Sequence, residues 1–194
     1  MPEYFTPLFL FAFVATFTPG PNNTMLMTSG VHAGFFRSMP HMLGVAIGFS
    51  VMLMLVGLGM TGIFNTLPWL HQSLNILCMA YLCYLAYRIA TSRPHIEQAD
   101  YQPMTFFSAA MFQWVNPKGW TMALTAISLY NPSASWDGLG WITAAFFIAT
   151  LPSVAAWVLA GKQIRRLLKS PGHMTCFNYV MALALLVSVA PMML

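Results

Sequence analysis

Charged side chains are scarce in this chain. They make up 6% of its 194 residues, where a soluble domain carries about 25%. No soluble fold of this size solvates itself with eight basic and four acidic side chains, which leaves no room for an additional soluble domain. Cysteine is scarce too. Cys78, Cys83 and Cys176 stand in or beside apolar segments, and the first two are five apart, which splays them around a helix. There is no CxxC pair and no zinc spacing, so neither a dithiol redox centre nor a structural zinc site is expected. GxSxG, HExxH and an aspartate pair within an apolar segment are all missing. Their absence removes the common hydrolase and metalloprotease readings, and the chain is not expected to be an enzyme.

Apolar residues fill the space. They make up 58% of the chain, and the mean hydropathy is +0.68. Six stretches reach the roughly 20 residues needed to span a bilayer. They run from Tyr4 to Thr28, Met39 to Asn65, Trp69 to Ala90, Thr105 to Tyr130, Gly138 to Ala160 and Met174 to Met193. The first lacks a basic leader and is longer than a signal-peptide core, so it reads as a retained membrane helix. Leu67-Pro68-Trp69 and Asn131-Pro132-Ser133 mark tight turns, and Ser92 to Pro103 is the longest polar stretch. The expected fold is an all-α integral membrane protein forming a single transporter domain, 1–194. Its two three-helix repeats fall at about 1–91 and 105–194, joined by a cytoplasmic linker at about 92–104.

Basic residues sort to one side. Arg37, Arg88, Arg93, Lys162, Arg165, Arg166 and Lys169 fall in or beside odd-numbered loops, and the even-numbered loops and both termini hold none. The positive-inside rule places that side in the cytoplasm. The net charge of +4 is therefore topological and does not mark a nucleic-acid surface. Both termini are expected outside, in the periplasm of a bacterial inner membrane. Three spans per half make the halves run in opposite directions, the pattern of an inverted repeat. The five histidines, His32, His41, His71, His95 and His173, read as solvated groups at helix ends without metal-ligand spacing. The 16 methionines read as adaptable packing. Gly44 and Gly48 have the small-xxx-small spacing of close helix contacts, and Pro152 reads as a kink or hinge.

Two of the spans are interrupted at corresponding positions. Thr18-Pro19-Gly20-Pro21-Asn22-Asn23 breaks the first and Asn116-Pro117-Lys118 the fourth. Proline removes an amide hydrogen and clashes with the carbonyl one turn back, and in hydrocarbon a freed backbone group costs several kcal/mol unless it is satisfied. Asn116 before Pro117 has the order of a helix start, and Thr18, or Gly20 before Pro21, can serve the same way. Each break then begins a half-helix whose free amides attract anions. Lys118 lies about 13 residues into the fourth span, near the midplane of a segment of about 20. No acidic residue lies in any span to pair with it, so a substrate carboxylate is its natural counter-ion. Asn22, Asn23, Gln113 and Asn116 either hold a polar substrate group or repair the broken backbone. The candidate substrate site is thus Thr18, Pro19, Gly20, Pro21, Asn22, Asn23, Gln113, Asn116, Pro117 and Lys118.

These residues resemble the lysine exporter family, in its homoserine/threonine exporter branch. The family's TPGPN stands at Thr18 to Asn22, its NPK at Asn116 to Lys118, and its glycine-rich second helix at Gly44-Val45-Ala46-Ile47-Gly48. Tyr81 to Tyr87, and Gly161 to Pro171 followed by Asn178, look like its third helix and its fifth loop with the sixth helix. The resemblance implies a secondary exporter of small neutral amino acids or derivatives, driven by protons. A metal-ion or other small-solute exporter is the alternative. Phe49 stands where many members carry an acid, which argues against a cationic substrate. The expected partners are a small amino-acid substrate and membrane lipid, with a homodimer open and no nucleic acid. No cofactor and no metal are expected.

The charge asymmetry makes a direct prediction. A phosphatase fused to the C-terminus will be active outside the cytoplasm, and a C-terminal fluorescent protein reporting from the cytoplasm would overturn the six-span count.

Overall fold

The computed structural model describes residues 5–60, 68–92, 101–133 and 135–187. Leu67, Arg93, His95 and both chain ends lie outside the described residues, as do the side chains of His71 and Cys78. Among the described residues every regular element is helical. The elements are α1 (Phe5–Phe17), α2 (Pro21–Arg37), α3 (Met39–Leu55) with a π-helical turn at Val56–Met60, and α4 (Pro68–Ala90). There follow α5 (Phe106–Phe112) with a 3-10 turn at Gln113–Val115, α6 (Pro117–Tyr130), α7 (Trp136–Arg165) and α8 (Pro171–Val187).

Met39–Gly59 and Trp136–Arg165 are each long and apolar enough to cross a membrane unaided. The first and fourth apolar stretches are divided where the prolines divide them, into α1 and α2 and into α5 and α6. The turn expected at Asn131-Pro132-Ser133 is present. One expectation needs correction. Helix α7 runs on to Arg165, so Lys162 and Arg165 stand in its last turn and not in a loop, where cations favour the free carbonyl end. Pro152 lies inside the same helix, which continues on both sides of it.

Helix α3 explains how the bundle meets its surroundings. Met42, Val45, Ala46, Phe49, Met52 and Leu53 are buried, while Leu43, Ile47, Val51 and Leu55 are exposed at four-residue spacing. That spacing puts the exposed set on one face. Apolar faces of this kind recur on α1, α7 and α8, well beyond the isolated patches of a water-soluble surface. Hydrocarbon solvates such a surface, so burial of apolar area is not what drives the helices together. Close packing is.

Small residues supply that packing. A Cβ on Gly44 would strike the Phe106 carbonyl, and one on Gly48 would sit 2.5 Å from the Ala110 Cα, so α3 and α5 meet backbone to backbone as the glycine spacing requires. A Cβ on Gly30 would strike the Val158 carbonyl and one on Gly161 the Met27 carbonyl, which ties α2 to α7. Around these contacts, α1 packs on α7, α3 on both α5 and α7, and α4 on α8. The largest apolar cluster centres on Phe146, edge-on to Phe49 at 5.4 Å and to Phe11 at 6.0 Å. Gly34 takes φ 75° at the end of α2, a value glycine adopts without strain, and the Ser38 hydroxyl donates to its carbonyl at 2.7 Å.

Replacing Gly161 by Leu should therefore part α2 from α7, at a cost of about 1–3 kcal/mol or more, as overpacking costs elsewhere. Thermal unfolding in detergent will show a lowered midpoint. Gly140→Ala, which adds a Cβ into open space, is the control that should not lower it.

Candidate functional site

Helix α1 stops at Phe17, and the chain runs extended through Gly20 (φ −176°, ψ 179°) before Pro21 opens α2. At the second break Asn116 is extended (φ −95°, ψ 102°) and Pro117 opens α6. Of the alternative starts in the first span, Gly20-Pro21 is the one used. Neither Gly20 nor Asn116 caps its helix with a side-chain hydrogen bond. The first amides of α2 and α6 are thus not consumed by capping side chains.

The freed carbonyls of α1 are satisfied by specific side chains. Asn23 Nδ2 donates to the Thr16 and Thr18 carbonyls, both at 2.8 Å, and the Ser153 hydroxyl of α7 donates to the Thr16 carbonyl at 2.8 Å. Asn23 therefore repairs backbone. Asn22 and Gln113 do something else: their amides exchange hydrogen bonds of 2.8 and 3.2 Å across 91 residues of chain, and Gln113 also donates to the Ala109 carbonyl at 2.8 Å. One amide pair thus locks the two breaks together.

Lys118 completes the junction. Its Nζ donates to the Thr18 carbonyl at 2.5 Å, the Thr18 hydroxyl at 2.8 Å and the Pro19 carbonyl at 3.3 Å. The lysine has protein partners after all, though they are carbonyl and hydroxyl oxygens and not carboxylates. They lie at the C-terminal end of α1, where the helix dipole is negative. Gly20 makes the crossing possible, because a Cβ there would lie 2.7 Å from Lys118 Cδ. The structure brings Thr18, Pro19, Gly20, Asn22, Gln113 and Lys118 into one cluster. Asn116 borders it with Gly20, Asn22, Asn23 and Lys118 around a cavity of about 30 Å³. Pro21 is buried at the start of α2 and Pro117 is half-buried at the start of α6.

A second, larger cavity of about 520 Å³ has Met25, His32, His41, Arg88, Tyr101 and Arg165 among its walls. Asn22, Met25, Ser29 and His32 recur at three- and four-residue spacing along α2, so one helix face runs from the break to this vestibule. The histidine expectation fails here. His32 and His41 are buried, because the helix ends that carry them are packed together. His32 Nε2 is 3.0 Å from Asn178 Oδ1, and Asn178 Nδ2 donates to the Ser92 carbonyl at 2.9 Å. His41 Nδ1 is 3.0 Å from the Ser29 hydroxyl. Tyr101 stacks on His32 at 4.8 Å between ring centres, and desolvation holds its phenol above the ordinary value. His173 is exposed as expected. Sequence reasoning also passed over Thr150 and Ser153, whose only signal was two hydroxyls flanking Pro152 in an apolar run.

A family model described as LysE type translocator matches residues 13–193. The chain belongs to this family. Among the relatives of this LysE-type translocator are proteins named cysteine/O-acetylserine efflux protein. That of Shigella flexneri serotype 5b is 30% identical over 193 residues, 93% of this chain and 95% of its own length. That of Escherichia coli O157:H7 is 30% identical over 194 residues, and that of Salmonella typhimurium 29% over 192, with the same shares covered. No solved structure matches the chain. The LysE-type translocator is a membrane transport protein of an amino-acid-export family.

The amide pair is open to a double-mutant cycle. Asn22→Leu and Gln113→Leu should each destabilise the folded protein, and the double variant should lose less than their sum by about 0.6–1.7 kcal/mol, the range of hydrogen bonds between membrane helices. Strict additivity in detergent unfolding would show that the amides do not couple the breaks.

Proposed function

We propose that this translocator is a secondary exporter of small neutral amino acids or their derivatives, of the cysteine, O-acetylserine, homoserine and threonine type. It is a transporter and not an enzyme, and it works in a bacterial inner membrane with the proton gradient as driving force. The observation that carries the reading is the Lys118 ammonium, held at the junction of two broken helices on groups that a substrate can replace. The names and the extent of the relatives support export and this substrate class. No observation favours the metal-ion alternative.

In the proposed architecture six spans form two inverted repeats, with both termini outside. The packing supports it: α1 lies on α7 as α5 lies on α3, which is the same pair of spans with the repeats exchanged. The continuations differ. Among the described residues, helix α2 packs along α7 and α8, whereas its counterpart α6 rests chiefly on α7, α1 and the turn at Val56–Met60. Unequal packing of equivalent halves is what alternation between two states needs. The vestibule, on the arginine-bearing side, is read as the cytoplasmic mouth. At about 520 Å³ it falls within the usual range for small-molecule sites, while the junction below it, at about 30 Å³, is closed.

The mechanism follows from these parts. An amino acid enters the vestibule as a zwitterion, and the Asn22–Gln113 pair and Met25 stand between it and the breaks. At the junction its carboxylate draws Lys118 off the α1 carbonyls, while the first amides of α2 and α6 add their positive ends. Charge neutralisation of the lysine then favours movement of α6, the less firmly packed half.

Lys118→Met should abolish flux into proteoliposomes under an imposed pH gradient and leave the folded protein intact, because Asn23 still satisfies the Thr18 carbonyl. Lys118→Arg should be impaired, since a planar fork does not fit a point-charge site. Saturable amino-acid flux at the wild-type rate through folded Lys118→Met would contradict the proposed site.

A further inference from the structure

Among the described residues, three buried side-chain atoms have no hydrogen-bond partner: His41 Nε2, Asn116 Oδ1 and Thr150 Oγ1. The last two belong to residues that line the same 30 Å³ cavity at the junction, and those residues are 1% and 4% exposed. A buried acceptor left without a donor destabilises the fold, the more so where water is excluded. Two of them bordering one void of a single water's size mark a place that something polar fills.

The surrounding groups define what fits. Asn116 Oδ1 can only accept, and a threonine hydroxyl accepts as readily as it donates. Four donors around the void are already turned elsewhere. Asn22 Nδ2 serves Gln113, Asn23 Nδ2 serves the Thr16 and Thr18 carbonyls, Ser153 serves the Thr16 carbonyl, and Lys118 serves Thr18 and Pro19. What is missing is a compact donor with several hydrogens. The negative end of α1, represented by Thr16, borders the same space and favours a cation there over a neutral donor.

We propose that Asn116 Oδ1 and Thr150 Oγ1 form the ammonium subsite of the substrate pocket, with Thr150 a substrate-contacting residue that no motif announces. This rests on the reading that the cargo is an amino acid whose carboxylate meets Lys118. An α-ammonium has the size of a water and stands two bonds from its carboxylate, and Lys118 borders the same cavity. Ala15, Val45, Phe49, Met122 and Val154 also line the cavity and would give a short side chain an apolar wall once the closed junction opens. The pocket then binds the two charges of a zwitterion with no acidic residue of its own.

The test is competition. Labelled cysteine flux under reducing conditions is measured in proteoliposomes, with unlabelled cysteine and 3-mercaptopropionate, its analogue without the amino group, as inhibitors. Thr150→Val should weaken inhibition by cysteine about tenfold, the loss expected of a hydrogen bond to a charged group. It should leave inhibition by 3-mercaptopropionate unchanged, and Thr150→Ser should keep the wild-type discrimination. Should Val crowd the cavity and prevent folding, Thr150→Ala gives the same reading. Equal weakening of both inhibitors would assign Thr150 a structural role, and no change in either would mean that the cavity holds only water. Both results overturn the subsite and leave the export reading standing. If the wild-type protein carries no competable flux of cysteine or any other amino acid, the export reading fails and the subsite falls with it.

Discussion

A carbonyl released from a helix inside hydrocarbon must find a donor, because water is not there to supply one. That constraint organises the centre of this protein. Pro19 and Pro21 release the end of α1, and four donors converge on it: Asn23 from the next helix, Ser153 from α7, Lys118 from the second break, and the Thr18 amide, which closes the last turn on Val14 at 3.0 Å. Through them α2, α6 and α7 are joined to α1 at a point where no apolar contact could fix their register. The break is therefore a structural hub as well as a candidate site, and the two roles share the same oxygens.

This sharing suits a transporter. A lysine bonded to backbone oxygens is stable in the membrane without a carboxylate partner, and the same lysine can be drawn away by an arriving anion. In the proposed cycle the protein holds its own cation in place of the missing substrate. Asn23 keeps its bonds to the α1 carbonyls throughout, so loading the site does not require the broken helix to come apart.

The breaks were legible from sequence because proline, glycine and lysine are so costly within an apolar span that they stand out singly. The helix start at Pro117 followed from φ fixed by the ring, the start at Pro21 was one of two that the first break allowed, and the Gly44–Gly48 contact followed from spacing alone. Other features were not legible for an equally physical reason. His32 and His41 occupy helix ends, where a side chain is solvated or buried according to what packs over it, and only the partners Asn178, Ser29 and Tyr101 decide. Thr150 looks like any hydroxyl in a membrane helix, and its significance lies in lacking a partner. Lys118 was expected to wait for a carboxylate, and its bond to Thr18, 100 residues away, depends on how the two breaks meet in space.

The central claim is that the two breaks form one carboxylate-binding site whose lysine changes partners. An experimental structure of the protein in lipid, with a transported amino acid bound, tests it most directly. The account predicts the substrate carboxylate within hydrogen-bonding distance of Lys118 Nζ, with the Lys118–Thr18 bonds broken and Asn23 still on the α1 carbonyls. An amino acid bound elsewhere along the transport path, with Lys118 still held by Thr18 in every state of the cycle, would contradict it.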